Sequence, residues 1–386
     1  MLIRLSGGLA AVIGVPLIGR FGIQLSNRTL EKRLEAIQKD RKVPEPLAGL
    51  TDFKGVIHAH TYLSHDSQGR PEELINAARK AGLHFLMTTD HNSRRIFTEG
   101  IHGRFGELLV IRGAEIGKGS DHFGNQYLLA INIKEFIDGQ SLGLQQIIDE
   151  IHNQGGLAFV AHPWRFQEWD VRGLDGMEVY DIADSVYAQA WKAPWMAMQV
   201  LSSWDDYPEE VFVRILSRPG YSLRRWDQLT KARRLVGIAG NDAHQNLMVF
   251  GRQLDPYPID FKFVQTHVLG PVLEETALLR ALRAGHAYLS FGILADATGF
   301  QFYASDKTLI GIMGDEVPYA SGLTLSVQAP QKGLISLYQN GQVVHQSAST
   351  RLDYPVKGKG VYRVEVTLQI GTNRFPWILS NPIYVV

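Results

Sequence analysis

Six histidines stand beside carboxylates at intervals along this chain, each group next to a short apolar run. The first group is His58-Ala59-His60 with Asp66 downstream, and the second is Thr89-Asp90-His91-Asn92. The third is Glu115 in Gly113-Ala114-Glu115 with His122 beyond it, the fourth is Ala161-His162-Pro163, and the last is Asn241-Asp242-Ala243-His244. If residues 56–60 form a strand, His58 and His60 project from one face, because side chains alternate with a period of two. Imidazoles and carboxylates gathered in one place are poor filler, since each buried polar group without a partner costs about 1–3 kcal/mol. Divalent metal ions would remove that cost. Nitrogen and oxygen donors without sulfur suit zinc, manganese or iron rather than calcium. A lone histidine of this kind reads as an ordinary core or surface residue; the same pattern at five strand ends points to a multinuclear metal site.

Such a site needs a scaffold that brings distant strand ends together. Short β-rich runs at 56–60, 85–89, 110–116, 127–131, 157–161, 177–180 and 235–239 alternate with helical patterns. Pro71 opens one helix, which carries Leu74, Ile75, Ala78 and Ala81 and stops at Gly82. Ser141 is placed to cap another, with Leu144, Ile147, Ile148 and Ile151 on one face and Gly155-Gly156 after it. Alternation of this kind predicts a parallel sheet, open or closed into a barrel, and in a parallel barrel the strand ends share one mouth. Residues 182–234 read as mostly helical, with Trp191, Trp195, Trp204 and Trp226 taken as core aromatics. After Phe291 the pattern changes to short alternating runs. Asn340-Gly341 between two of them is a hairpin signal, and Gly358 and Gly360 punctuate the next. Residues 299–386 therefore predict an Ig-like antiparallel β-sandwich, with Trp377 and residues 381–384 in a strand returning to its own sheet.

The composition narrows the classes further. The chain has 386 residues, 45% of them apolar, enough for one large domain and a smaller one. It contains no cysteine, which excludes disulfides, thiolate ligands and cysteine nucleophiles together. Its formal net charge is zero, and with no basic-aromatic stripe nucleic acid is not an expected partner. Neither a Walker-A loop nor a G-x-S-x-G elbow occurs. Residues 5–19 carry no charge between Arg4 and Arg20, a length that suits a signal or short anchor better than a full span. Residues 1–25 are read as that segment and 26–51 as a linker or helix, which predicts membrane association and a place in the cell envelope. Arg28, Lys32 and Arg33 just downstream pull toward the cytoplasmic side, and a buried N-terminal hairpin is the alternative.

The five groups, in their order His-x-His with a downstream Asp, Thr-Asp-His, Gly-x-Glu, Ala-His-Pro and Asp-x-His, closely resemble the motifs of the polymerase and histidinol phosphatase (PHP) superfamily. The resemblance covers about residues 52–290, within a metal-binding barrel read as residues 52–298. His122-Phe123 after the Gly-x-Glu, and the run Glu274-Glu275-Thr276-Ala277-Leu278-Leu279-Arg280-Ala281-Leu282-Arg283-Ala284-Gly285, resemble the CehA/McbA-type branch. The resemblance implies a distorted (β/α)7 barrel holding two or three divalent ions. It carries over His58, His60, Asp66, His91, Glu115, His122, His162, Asp242 and His244 as ligands, with Glu115 bridging and Asp90 orienting a neighbour. Asn241 stands where serine is common in the superfamily, and His65 is a rival to Asp66.

Three dications, less three carboxylates and a bridging hydroxide, leave a formal charge of about +2, which complements a phosphate ester. Glu115, Asp242 and Arg165 are the candidate catalytic residues, Arg165 for holding phosphate oxygens. Arg94 and Arg95 are further candidates for that role, and Tyr180 or Asp181 for lining the pocket. The expected reaction is hydrolysis of a small phosphomonoester or cyclic phosphodiester. An ester or carbamate hydrolase using the same metals, and a binding module carried by the sandwich, are the competing readings.

Overall fold

All seven expected runs form strands, and these strands close on one another. The computed structural model describes residues 17–47, 49–118 and 126–386. Its barrel consists of β1 (Thr51–Ala59), β2 (Phe85–Thr88), β3 (Leu108–Lys118), β4 (Gln126–Ile131), β5 (Leu157–Ala161), β6 (Gly176–Asp181) and β7 (Val236–Ala243). β1–β2, β2–β3, β5–β6, β6–β7 and β7–β1 are parallel. β4 departs from the expected parallel sheet, because it runs antiparallel to both β3 and β5. The reason is chain length: only residues 119–125 separate β3 from β4, and a parallel crossover needs about a dozen or more.

The strands are apolar on both faces, as a covered sheet requires. Ile57, Met87, Ile111, Leu129, Phe159 and Ile238 belong to one buried cluster inside the barrel. Val56, Leu86 and Val110 point the other way, onto α2 (Pro71–Lys80), where they meet Leu74, Ile75 and Ala78. α3 (Leu144–Asn153) buries Leu144, Ile147, Ile148 and Ile151. Its cap is Gly143 rather than Ser141, with the Gln146 side chain reaching back to the Gly143 N–H at 2.9 Å.

The stretch after β6 is helical as expected: α4 (Ile182–Ala188), α5 (Ala193–Ser203), α6 (Pro208–Val213) and α7 (Gly220–Leu229). Trp204 and Trp226 are buried in the core, but Trp191 and Trp195 are exposed, which corrects the reading of all four as core aromatics. The N-terminal helix α1 (Leu17–Lys39) runs across residue 25 and packs on α5, where Asn27 Nδ2 donates to Gln199 Oε1 at 3.3 Å. Most of the predicted signal or anchor segment, residues 1–16, lies outside the described residues. Among the described residues no helix is long and apolar enough to cross a membrane.

Two strands absent from the sequence reading, β8 (Gln265–Gly270) and β9 (Ala287–Ser290), follow β7. β8 pairs with the first half of β1 and with β9, so the sheet leaves the barrel there. It then continues without a break into the C-terminal strands β10 (Gln301–Asp306), β11 (Thr324–Gln339), β12 (Gln342–Pro355), β13 (Gly360–Ile370), β14 (Asn373–Ser380) and β15 (Ile383–Val385). β9 pairs with β14, β14 with β13, β13 with β11, and β11 with β10 and β12, all antiparallel. Asn340 and Gly341 both have positive φ, 53° and 82°, as the tight turn between β11 and β12 demands.

A buried ionic network fixes this sheet to the helices. Arg363 on β13 donates to Asp227 of α7 at 2.5 and 2.8 Å and to Glu365 at 2.7 Å, and Glu365 also accepts from Arg218 at 2.6 and 2.7 Å. Arg363→Ala would leave Asp227 without its counter-charge and the buried Glu365 with Arg218 alone. The expected loss is about 3–5 kcal/mol, read as a lower midpoint in urea unfolding.

Candidate metal centre

The site forms where β1, β3, β5 and β7 end at one mouth, and three of those strands bend to build it. His58, His162 and Asp242 all have positive φ, 70°, 49° and 47°, a region that non-glycine residues seldom adopt. Strain of this kind persists only where surrounding contacts hold it in place. The pairing of β1 slips on both sides between Ile57 and Ala59. Ile57 faces the barrel interior, whereas Val56 and Ala59 face α2. In an unbroken strand His58 and His60 would share the outward face of Val56. The irregularity at His58 turns both imidazoles inward, so they meet as expected but not through simple alternation. Their ring centroids are 5.1 Å apart.

The other groups converge on this pair. His58 Nε2 is 3.3 Å from Asp242 Oδ1 and 3.7 Å from Glu115 Oε1, and His60 Nε2 is 3.3 Å from the same Asp242 oxygen. His162 Nε2 lies 3.5 Å from Glu115 Oε1, and His91 Nδ1 lies 3.0 Å from Glu115 Oε2. Asp66 stands 3.2 Å from His91 Nε2 and 3.4 Å from His244 Nε2. The rings of His60 and His244 stack at 4.0 Å. Eight of the nine residues singled out from the sequence thus meet in one cluster. The ninth, His122, lies outside the described residues. His65 is 74% exposed, with its Nε2 3.9 Å from Asp66 and its ring 4.9 Å from that of His91, so it stands at the outer edge of the cluster, where its donor atom joins those of Asp66 and His91.

What decides the chemistry is the opposite edge of each ring. His58 Nδ1 donates to Glu178 Oε1 at 2.6 Å, and His162 Nδ1 donates to Asp184 Oδ1 at 2.9 Å. His60 Nδ1 donates to Ser64 Oγ at 3.0 Å, and Ser64 in turn donates to Asp90 at 2.8 Å. His244 Nδ1 donates to the Asp242 carbonyl at 2.8 Å. Four imidazoles are therefore held with Nδ1 occupied and Nε2 turned into the cluster, the arrangement that a metal-ligating histidine requires. The Nε2 atoms of His58, His60 and His244 are buried and have no hydrogen-bond partner. Triads such as His58, Glu115 and His162, or His60, His91 and His244, bring their donor atoms within 4.8 Å of one another. The donor set fits divalent metal ions.

The supporting acceptors were only partly legible in the sequence. Asp90 also accepts from the Thr61 backbone N–H at 2.6 Å, so it braces the loop that carries Ser64. Glu178 serves His58 and also accepts from the His162 backbone N–H at 2.9 Å. Asp184 was missed, although Asp181-x-x-Asp184 is a helix-start pattern: Asp181 accepts from the Asp184 N–H at 2.8 Å and so aims Asp184 at His162. Tyr180 packs edge-on against Phe291 at 4.7 Å and belongs to the core. Burial, with Glu178 adding repulsion, pushes the Asp181 carboxyl up to about 8. Arg95 is drawn into a surface pair with Glu99 at 2.8 Å, and Arg94 stacks on Phe136 at 4.6 Å, so neither reads as a phosphate holder. Arg165 lies over Trp164 and beside Tyr187, at 4.7 and 5.8 Å, and its backbone N–H returns to the His162 carbonyl at 2.9 Å. Asn241 donates to the Asp260 and Val264 carbonyls at 2.6 and 3.0 Å.

No family model matches the chain. An uncharacterized protein of Methanocaldococcus jannaschii is 29% identical over 150 residues, covering 33% of this chain and 82% of that one. Among solved structures, a two-domain protein from Bacteroides vulgatus containing a predicted PHP-like metal-dependent phosphoesterase is similar at 15% identity. It covers 88% of this chain and 98% of that chain, with a TM-score of 0.43. An amidohydrolase from Chromobacterium violaceum, solved with sulfate and no metal, covers 49% of this chain and 87% of that chain at 15% identity and a TM-score of 0.32.

Protons and metals compete for the same nitrogens here. Burial disfavours charge on His58 and His162, yet Glu178, Asp242 and Glu115 around the first, and Asp184 and Asp181 beside the second, raise both well above the usual imidazole value. His91, opposed by burial but flanked by Glu115 and Asp66, is pushed up to about 10. His60, buried and facing His244, is lowered to about 3. At pH 7 the metal-free cluster therefore holds His58, His91 and His162 protonated and His60 neutral. Metal uptake must expel those protons, so apparent affinity rises with pH through neutrality. Calorimetry at pH 7 in two buffers of different ionisation enthalpy should show more than one proton released per chain; no release would contradict the assignment.

Proposed function

We propose that this chain is a metal-dependent phosphoesterase that hydrolyses a small phosphomonoester or cyclic phosphodiester. The observation that carries the reading is the set of buried, unpartnered Nε2 atoms on His58, His60 and His244, the first two facing Glu115 and Asp242 and the third facing Asp66. His58, Glu115 and His162, with Asp242, would hold one ion, and His60, His91 and His244, with Asp66, would hold a second. Bound there, zinc, manganese or iron would polarise phosphoryl oxygens and lower the pKa of water to about 7.

The chain's own residues prepare that chemistry. Glu178, Asp184 and the Ser64–Asp90 relay hold the Nδ1 edges of His58, His162 and His60, so that Nε2 is the nitrogen each would offer to a metal. Burial of His58, His60 and Glu115 keeps bulk water from competing for the donors. Arg165, one turn beyond His162, supplies a guanidinium for the anionic substrate at the rim.

The test is a panel on metal-reconstituted protein: nitrophenyl phosphate, bis-nitrophenyl phosphate and a naphthyl carbamate. Turnover of either phosphate well above the carbamate is expected. Turnover of the carbamate alone would replace the reading with the carboxylic-ester alternative.

A further inference from the structure

α5 is built inside out. The residues that it buries include Gln199, Ser202 and Ser203, whereas its exposed face presents Trp195, Met198 and Leu201, 38%, 43% and 40% exposed. Trp191, one turn earlier, is 77% exposed. Trp195, Met198 and Leu201 lie at i, i+3 and i+6 on one side of α5, and Trp191 stands in the 3-10 turn just before it. A water-facing helix ordinarily carries its polar side outward. The inversion has a cause on the inner side, where Gln199 accepts the hydrogen bond from Asn27 of α1. It has no cause on the outer side, and contiguous exposed apolar surface of this kind marks a binding face.

Two features say what covers it. Gln24 of α1 donates to Asp206, just past the end of α5, at 3.3 Å, so the first turns of α1 lie against this helix. Gln24 is about 10 Å along the helix axis from Leu17, and upstream of Arg20 the uncharged run 5–19 begins. The length of that run, too short to span comfortably, suits a membrane anchor, and it precedes in sequence the helix that lies against α5. Tryptophan is also the residue that collects at membrane interfaces, and Lys192, 5.4 Å from the Trp191 ring, supplies a cation for lipid phosphates. The stripe starts beside the metal centre's rim: α4 ends at Ala188 and carries Tyr187, whose ring lies 6.3 Å from that of Trp164.

We propose that Trp191 and the outer face of α5 form a bilayer-docking surface, seated among lipid headgroups. The surface would hold the mouth of the metal centre close to the membrane. It does not depend on which ester the centre cleaves.

The absence of cysteine gives a clean test. Full-length Met198→Cys is labelled with nitrobenzoxadiazole and mixed with vesicles of phosphatidylcholine and phosphatidylglycerol, with Lys332→Cys on the C-terminal sandwich as the control. The expected result is flotation with the vesicles, a several-fold rise and blue shift at position 198 that brominated acyl chains quench, and no change at 332. Trp195→Glu should lower the bound fraction about tenfold while hydrolysis of soluble nitrophenyl phosphate continues at the unmodified rate. Flotation with an unresponsive label at 198 would mean that the terminal segment acts alone, and the proposal fails. It also fails if the chain does not float, or if the label responds to protein concentration without vesicles, which would make the stripe a contact between copies.

Discussion

Glu115→Gln should reduce kcat/KM on a nitrophenyl phosphate by about a thousandfold, equivalent to about 4 kcal/mol. Glu115, like Asp242, faces four of the imidazoles. Its Oε1 lies between His58 and His162, and its Oε2 lies between His60 and His91. Burial opposes its charge, but His91 and His58 hold the carboxyl well below its ordinary range, so it is ionised across the whole working pH range. The amide keeps the shape, removes the charge, and turns an N–H2 toward two of the four rings. Metal content should fall with activity. Full activity with a full metal complement would show that Glu115 is merely a neighbour of the site.

The second large effect is expected at Glu178, which touches no predicted substrate position. One oxygen orients the His58 ring and the other pins the His162 backbone N–H. Glutamine can satisfy only one of these donors and sets its own N–H2 against the other. Metal affinity should drop about 10–100-fold, the usual result of losing an outer partner of a ligating histidine. Because the role is positional, the discriminating readout is metal titration rather than turnover: at saturating metal, most of the activity should return. An unchanged affinity would assign Glu178 to structure alone. The space for Glu178 depends on Gly240, where a β-carbon would collide with its carboxylate.

Much of this architecture was readable in advance because it depends on local pattern. Alternating strand and helix signals located all seven barrel strands, and the strand-end motifs located the cluster. What could not be read depends on three-dimensional context. The direction of β4 follows from the short connection to β3, a feature that the apolar pattern of the strand itself does not encode. The inward turn of His58 comes from a pairing slip with both neighbours, which no spacing within β1 reveals. Asp184 and Glu178 matter only because β6 lies beside β5. Trp191 and Trp195 look like Trp204 and Trp226 in sequence, since an aromatic side chain gives the same signal for a core as for an interface.

The unbroken sheet has a consequence for how the molecule comes into being. β9 finds its second neighbour in β14, and Asn381 closes onto both the N–H and carbonyl of Gly237 and onto the Ala287 carbonyl. A nascent chain released from the ribosome as far as the metal-binding residues still lacks the partners that seal the barrel's exit. Assembly should therefore wait for the last strands and proceed slowly, as pairings between sequence-distant strands do. A chain stalled during synthesis would display open β-edges that aggregate.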